Sequence, residues 1–543
     1  MKTSNLKTKT VKSPLSEKDS GPLKELHVPE LNTFENELYK LFNSLDVESK
    51  GIIPLSRLTK VLSNIGIKEN DPRIKINTAN LQRSEDDYQS FFLKFSDFKT
   101  IIKESNGSLI KDAIQGNLII PDFAGFVKEI KTIFDKTKSN ETGNVATYIP
   151  QLGRVNPDQY AVSICTIDGQ KASFGDAEKF FCIQSMSKPI NYAIALESFG
   201  EEKVHQHVGR EPSGISFNGL VLNDKGLPHN PMINSGAIMT CSLIKPEMEM
   251  ADRFDYVLDK WTELSGGIQA KFNNSVYLSE RQTADRNFAL GYFMKENKAF
   301  PDNTNLIETL ELYFQCCSIE VNTEALAVTA ASFANAGICP ATGTQSFRPD
   351  TVKNVLSLMY SCGMYNFSGE FAFTIGLPAK SGVGGGLLIV IPNLMGIAIW
   401  SPRLDKYGNT VRGIEFCKEL VNHFNFHNYD SLISGVSSKK DPRLQKNESQ
   451  ISGIISLCWA ASTGDMYEVQ QLIARGVNVN AADYDGRTAL HLAASEGHFR
   501  VVEYLLLKGA NILAKDRWGN TPLEDAHRNS HQLVVDVIRK YSN

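Results

Sequence analysis

From Thr33 the chain sets Phe34, Leu38, Leu41, Phe42 and Leu45 at spacings of three and four, the period of one helical face. The polar stretch Asp46-Val47-Glu48-Ser49-Lys50-Gly51-Ile52 separates this face from a second amphipathic run between Leu55 and Leu62. A helix, an acidic loop with Gly at its sixth place and a second helix outline an EF-hand. The ligands do not fit: Lys50, Pro54 and Arg57 occupy the fifth, ninth and twelfth places, where calcium needs oxygen. The pattern predicts an EF-hand-like helical module over 31–135 that does not bind calcium. Helical spacing continues through Phe91, Phe92, Phe95 and Phe98, and again from Phe123 to Phe134. Residues 1–30 are polar and aperiodic, which predicts a disordered tail or an import segment.

After the polar break from Lys136 to Gly143 the pattern changes. Residues 160–167 read as a strand, Asp168-Gly169 as a hairpin turn and 171–174 as the return strand. The apolar run Phe180-Phe181-Cys182-Ile183 leads into a helical pattern through Leu196, with Gly200 near its stop. Residues 209–236 are rich in Gly, Pro and Asn and predict loops of defined backbone. Helical patterns occupy 246–265, 305–335 and 349–361; strands return at 379–381, 386–391 and 395–400. Strands at both ends with helices between predict an antiparallel sheet flanked by a helical cluster over 140–430. A Ser/Lys/Asp linker covers 431–450. In 451–541, Asp483 to Ala494 recurs at Asp516 to His527, a period of 33, with Gly453 and Leu457 marking a degenerate earlier copy. Gly-x-Thr-x-Leu-His-x-Ala at that period is the pattern of ankyrin repeats. Asp483-x-Asp485-Gly486 then belongs to a repeat turn, not to a calcium loop. The predicted fold class is multidomain α+β.

Composition removes several function classes. The net charge is −4 over 543 residues, which gives no footprint for nucleic acid or an anionic membrane. Nine cysteines without Cys-x-x-Cys predict thiols rather than a disulfide frame or a zinc site. No apolar run is long enough to span a membrane; the best, 387–400, is broken by Pro392 and Asn393. His205-x-His207 lacks further ligands, so no metal is expected. Residues 380–386 lack the Gly-Lys-Ser/Thr order of a phosphate loop, and no cofactor is expected.

The candidate chemistry is Ser185-x-x-Lys188 at a helix start. Three residues apart, the two side chains share a face. A hydroxyl becomes a strong nucleophile when a base takes its proton, and a desolvated lysine is such a base. To serve near neutral pH, that lysine's pKa must lie roughly 3 below its free value. The same element is used by β-lactamases and penicillin-binding proteins.

Longer segments extend the reading: Tyr148-Ile149-Pro150-Gln151-Leu152, Phe181 to Ser185, Glu211-Pro212-Ser213-Gly214, Pro228 to Ile238, Ser279-Glu280-Arg281, Asp285 to Ala289 and Ala379 to Val383. Together they resemble the serine-dependent glutaminases, and in particular the animal type with an N-terminal helical domain and C-terminal ankyrin repeats. The resemblance implies a β-lactamase/transpeptidase-like catalytic domain that hydrolyses L-glutamine to L-glutamate and ammonia. It implies Ser185 as nucleophile, Lys188 as base, Tyr365 as proton relay and Val383 as donor of a backbone N–H to the oxyanion. Tyr148, Asn234, Glu280, Asn287 and Tyr313 fall where the family holds substrate. It also implies a homodimer or homotetramer, a mitochondrial site with the cytosol as alternative, and a protein partner for the repeats. Two other readings stay open at this point: a non-catalytic ankyrin scaffold that keeps the fold, and a related acylase with another amide substrate. The family's activation loop reads Phe-Asn-Lys-Leu-Phe-Leu-Asn, whereas this chain has Phe217-Asn218-Gly219-Leu220-Val221-Leu222-Asn223. With the lysine and second phenylalanine missing, phosphate is expected to raise glutamine turnover less than about tenfold, or ~1.4 kcal/mol of barrier, in an ammonia-release assay with and without phosphate.

Overall fold

The computed structural model describes residues 33–46, 50–68, 71–78, 81–83, 91–214, 217–433, 437–443, 445–474 and 477–541. The segment read as a tail or import signal lies outside them.

The N-terminal module comprises α1 (Thr33–Leu45), β1 (Ile52–Pro54), α2 (Leu55–Asn64), β2 (Gln82–Arg83), β3 (Phe91–Lys94), α3 (Phe95–Glu104) and α4 (Gly107–Ile114). Leu41, Phe42, Leu58, Leu62, Phe98 and Ile110 share its core. The EF-hand outline holds. Asp46 accepts the backbone N–H groups of Lys50 and Gly51, and the Arg57 guanidinium donates to the Leu45 carbonyl at 3.0 Å. A donor therefore stands at the place that calcium binding reserves for a carboxylate. The helical reading of Phe91 and Phe92 needs correction. They lie in β3, paired antiparallel with β1, so that Leu93 is buried and the helix starts only at Phe95. Phenylalanines at 91, 92, 95 and 98 fit either period, and pairing with a partner strand 40 residues away decides between them.

The middle of the chain forms α5 (Phe123–Lys138), α6 (Pro150–Gly153), β4 (Ala161–Thr166), β5 (Lys171–Gly175), β6 (Phe181–Cys182), α7 (Ser187–Val204) and α8 (Asn234–Ser242). There follow α9 (Met250–Leu264), β7 (Lys271–Phe272), α10 (Asn274–Gln282), α11 (Asp285–Glu296), α12 (Leu306–Cys317), β8 (Ile319–Val321) and α13 (Thr323–Ala334). Then come α14 (Pro349–Cys362), α15 (Ser368–Thr374), β9 (Ala379–Gly382), β10 (Gly386–Ile391), β11 (Met395–Trp400) and α16 (Val411–His423). The single helix expected over 305–335 is two, α12 and α13, interrupted by β8 pairing with β6 and β7.

The main sheet is antiparallel, in the order β5-β4-β11-β10-β9. Both of its faces are covered, which explains why β10 and β11 read as unbroken apolar runs rather than alternating ones. Val162, Ile164, Leu387, Ile389, Ile397 and Ile399 point to one face, against α5 and α16. Leu388, Val390, Ala398 and Trp400 point to the other, against the helical cluster. At the centre of that cluster α13 buries every residue except Glu324. Gly396 lets it come this close: a Cβ there would meet the Ala331 nitrogen at 2.2 Å.

The C-terminal helices are α17 (Gln445–Thr463), α18 (Met466–Ala474), α19 (Ala489–Ser495), α20 (Phe499–Leu507), α21 (Pro522–Arg528) and α22 (Gln532–Tyr541). The 33-residue period is visible in the caps. Thr488 and Thr521 each cap the helix that follows in a reciprocal box. Asp483 accepts the N–H groups of Asp485 and Arg487, and Asp516 those of Trp518 and Asn520, so these carboxylates serve the turns. The array meets the N-terminal module through α18 and α1, with the Lys508 amine donating to the Asn43 carbonyl at 3.4 Å.

The β4–β5 hairpin is gripped by the N-terminal module. Arg73, paired with Asp71, donates to the Asp168 carbonyl at 2.6 Å. Gln170 is fully buried. Its amide donates to the Ile65 and Ile120 carbonyls at 3.1 and 3.0 Å, and its oxygen accepts the Ile120 N–H at 3.2 Å. Gln170→Ala strands these backbone groups, each worth about 1–3 kcal/mol when buried without a partner. A loss of about 3 kcal/mol in unfolding free energy is expected by chemical denaturation; unchanged stability would show that the clasp is not a stabilising contact.

Candidate active site

Ser185 does not lie in α7 itself, as the pattern suggested, but in a 3-10 turn, Gln184–Met186, that joins β6 to it. Gln184 has φ of +51°, a left-handed conformation that costs a non-glycine residue of order 1 kcal/mol. The turn lifts Ser185 onto the positive end of α7, where backbone N–H groups lack helical partners. Lys188 follows in the first turn of α7 and is completely buried. Burial pushes its pKa down to about 8, opposed by the thiols of Cys317 and Cys241. Its amine is not tied to a carboxylate; it donates to Asn234 Oδ1 at 2.7 Å. Asn234, the first residue of α8, in turn donates to Asn287 Oδ1 on α11 at 3.2 Å.

Tyr365 lies in a second strained turn, with φ of +53°, between α14 and α15 rather than in a helix. Ser368 holds this turn by accepting the Met364 N–H and donating to the Tyr365 carbonyl. The Tyr365 hydroxyl donates to the Ser381 carbonyl at 3.1 Å. Burial raises its pKa, while hydrogen bonds from the Ser185 side chain and the Val383 N–H pull it down. The hydroxyl therefore meets Ser185 and the Val383 N–H. It does not bridge to Lys188, whose amine goes to Asn234 instead. The glycines around Val383 allow a close backbone approach. A Cβ on Gly382 would meet the Ile183 carbonyl at 2.5 Å, and one on Gly384 the Cys182 carbonyl at 2.6 Å. They bring the Val383 segment against the strand leading to Ser185.

At the other end of the site Glu280, on α10, is 8% exposed. Its Oε1 accepts the Tyr148 hydroxyl at 2.5 Å and the Gln184 amide at 3.1 Å. Burial raises its pKa, and these two bonds oppose the rise. Its neighbour Arg281, about 100° further round the helix, is exposed and pairs with Glu311. Tyr148 lies across the mouth, nearly half exposed, with its hydroxyl turned inward. Tyr313, on α12, is buried, and its hydroxyl bonds the Cys317 thiol, whose pKa burial pushes up to about 12.

The structure thus brings Ser185, Lys188, Tyr365, Val383, Tyr148, Asn234, Glu280, Asn287 and Tyr313 to one locus. Sequence reasoning passed over Gln184, Lys380 and Cys317. Gln184 and Lys380 lie inside quoted motifs, but only the fold shows that their side chains turn inward. Among the described residues no group of His, Cys, Asp and Glu side chains could hold a metal ion. All nine cysteines are buried free thiols, and no described helix is long and apolar enough to cross a membrane.

Residues 143–429 match the glutaminase family model, 412–516 and 457–542 match the model for ankyrin repeats in three copies, and 38–121 match an EF-hand domain. The mitochondrial liver isoform of glutaminase from Rattus norvegicus is 44% identical over 442 residues, covering 81% of this chain and 73% of its own. A glutaminase from Nostoc sp. is 45% identical over 324 residues, covering 60% of this chain and 96% of its own. A solved structure of a probable glutaminase superposes with a TM-score of 0.53 at 34% identity, covering 55% of this chain and 96% of that one. The sheet with its helical cluster is the β-lactamase-like arrangement, and the chain belongs to the glutaminase family.

Proposed function

We propose that this chain hydrolyses the side-chain amide of L-glutamine to L-glutamate and ammonia through an acyl-enzyme on Ser185. The observation that carries this reading is the fully buried Lys188 amine, three residues from Ser185 and bonded to a neutral amide. A desolvated amine without an acid partner gives up its proton near neutral pH and can then take one from a hydroxyl. Ser185 attacks the amide carbon. The N–H groups of Ser185 and Val383 receive the developing oxyanion, each such donor being worth about 3 kcal/mol of barrier. The proton that Lys188 took from Ser185 passes by way of the Tyr365 hydroxyl, which is bonded to Ser185, to the leaving nitrogen; ammonia departs with Lys188 and Tyr365 back in their starting states, and water then cleaves the ester.

The substrate's two charged ends find opposite chemistry. Glu280, buried with only neutral donors bonded to it, suits the α-ammonium. Asn234, Asn287 and the hydroxyls of Tyr148 and Tyr313 suit the α-carboxylate and the amide. A homodimer or homotetramer, a mitochondrial location and a protein ligand for the repeats are the assembly and setting proposed. The name of the rat relative supports the location, and sedimentation analysis and cell fractionation test the first two.

Ser185→Ala is expected to abolish ammonia release while leaving the thermal midpoint within a few degrees; turnover equal to wild type would overturn the acyl-enzyme reading. Because Lys188 must be neutral to act, kcat/KM should fall about tenfold per pH unit below about 8 and level off above it. A flat profile between pH 6 and 9 would remove Lys188 as the base. Glu280→Gln keeps the shape and loses the charge. It is expected to raise KM about 100-fold, ~2.7 kcal/mol, with a smaller change in kcat.

A further inference from the structure

We propose that Glu320 is a positioning residue of this reaction: by accepting hydrogen bonds from Cys182 and from Asn273 it fixes the distance between the Ser185 turn and Glu280, and so how well glutamine spans the two. The proposal rests on the acyl-enzyme reading above and on the placing of the substrate's ammonium at Glu280. It adds the group outside the site that holds those two ends at their spacing.

Glu320 is the middle residue of β8, itself the middle strand of the small sheet β6-β8-β7. In register it stands opposite Cys182 of β6 on one side and Lys271 of β7 on the other, so these side chains share a sheet face. Lys271 sends its amine over the Phe180 ring, 3.6 Å from the centre. One carboxylate oxygen of Glu320, Oε1, takes two neutral donors: the Asn273 amide at 2.7 Å and the Cys182 thiol at 3.7 Å. Burial pushes the Cys182 pKa up and the Glu320 carboxylate adds to the rise, so the thiol keeps its proton and is the donor. Cys182 lies three residues before Ser185. Asn273 is the cap of α10: its Oδ1 accepts the Val276 N–H at 3.0 Å, and Glu280 follows two turns later on that helix. With its nitrogen held by Glu320, the Asn273 amide keeps its oxygen turned to the helix.

The packing between the two arms makes this bond a spacer. Val276, one turn before Glu280 on the same face of α10, packs with Cys182, Ile149 and Leu152 in a small core of their own, and Val383 lies against it. Ile149 follows Tyr148, and Val383 gives the proposed oxyanion N–H, so neighbours of the groups that act on substrate meet in one cluster. Apolar packing brings them into contact without direction, whereas hydrogen bonds to one oxygen set direction as well. The arms differ in what else holds them. The Ser185 arm is fastened by strand pairing with β8, by the Ile183 N–H on the Ile319 carbonyl at 2.9 Å and by the start of α7. The start of α10 is tied to the same strand region by the Asn273 N–H on the Ser318 carbonyl at 3.0 Å and by the Glu320 bond. Removing the carboxylate therefore loosens the Glu280 arm and leaves the nucleophile in place. Glutamine offers two methylenes between its α-carbon and its amide carbon and little slack, and a displacement of about 1 Å at one end costs up to about 100-fold.

The test is steady-state glutamine hydrolysis by the full chain, with folding checked by thermal melting. Glu320→Ala should raise KM about tenfold and leave kcat within about threefold. Glu320→Gln keeps an acceptor for Asn273, and its KM should stay within about threefold of wild type. Asn273→Asp still caps α10 but sets a second carboxylate against Glu320, so KM should rise about tenfold. Adding Glu320→Gln to Asn273→Asp restores a donor and an acceptor with their roles exchanged and should return KM to within about threefold of wild type. A folded Glu320→Ala protein with unchanged KM would overturn the proposal, and so would an Asn273→Asp defect that Glu320→Gln does not relieve. A purely structural role lowers the active fraction, and with it kcat, without moving KM. If Glu320→Ala does not fold, Asn273→Asp with and without Glu320→Gln reads the same contact. Failure of the underlying reading shows elsewhere. Turnover that survives in Ser185→Ala removes the acyl-enzyme, and an unchanged KM in Glu280→Gln removes the ammonium site, whatever the Glu320 variants do.

Discussion

Ionisable groups removed from water and denied an opposite charge are the constraint on which this molecule is built. Lys188, Lys380 and Glu280 are all buried, and none has an ion partner. Leaving such groups inside a protein opposes folding by several kcal/mol each before neutral hydrogen bonds reduce the penalty. Much of the architecture can be understood as what makes that tolerable. A sheet covered on both faces supplies two large cores, and α13 is buried on every side but one. Carbonyls, amides and hydroxyls, rather than counterions, surround the site.

The same logic explains the strained backbone. Gln184 and Tyr365 both adopt left-handed conformations without being glycine. Both sit where a regular element ends and the reacting side chain must leave its axis. Each is held from outside: Gln184 by bonds with Tyr148 and Glu280, Tyr365 by Ser368 and the Ser381 carbonyl. Strain that persists under such restraint fixes hydroxyl positions that a relaxed turn would leave free.

What could be read from the chain itself followed from local rules. The Asp168-Gly169 hairpin, the apolar runs of β10 and β11 and the 33-residue period each announce themselves through spacing that neighbours in sequence enforce. Ser185 and Lys188 were legible because a helical turn fixes their relation. What escaped was set by distant partners. Phe91 and Phe92 became a strand because of Ile53, and 305–335 broke in two because β6 offered β8 an edge. The glycines beside Val383 carry no local sign of what they admit, which is the backbone of Cys182 and Ile183. Lys380 lies inside a recognisable segment, but its contacts with the Gly363 and Ser381 carbonyls and the Tyr365 ring are ones that only the folded chain assembles.

The grip of the N-terminal module on the hairpin bears on how this chain could be shortened. Strand β5 is the outermost member of the sheet, and the Gly66 carbonyl takes its Lys171 N–H at 2.8 Å. Gly66 must be glycine there, because a Cβ would fall 2.3 Å from the Phe123 ring. Trimming the protein to residues 143–429, the stretch that matches the glutaminase family model, would bare this margin and leave unpaired backbone groups facing outward, the template on which sheets stick to one another. The module is thus an end-stop for the sheet as well as a neighbour, and a minimal fragment made from this chain would need a new stop engineered at Lys171.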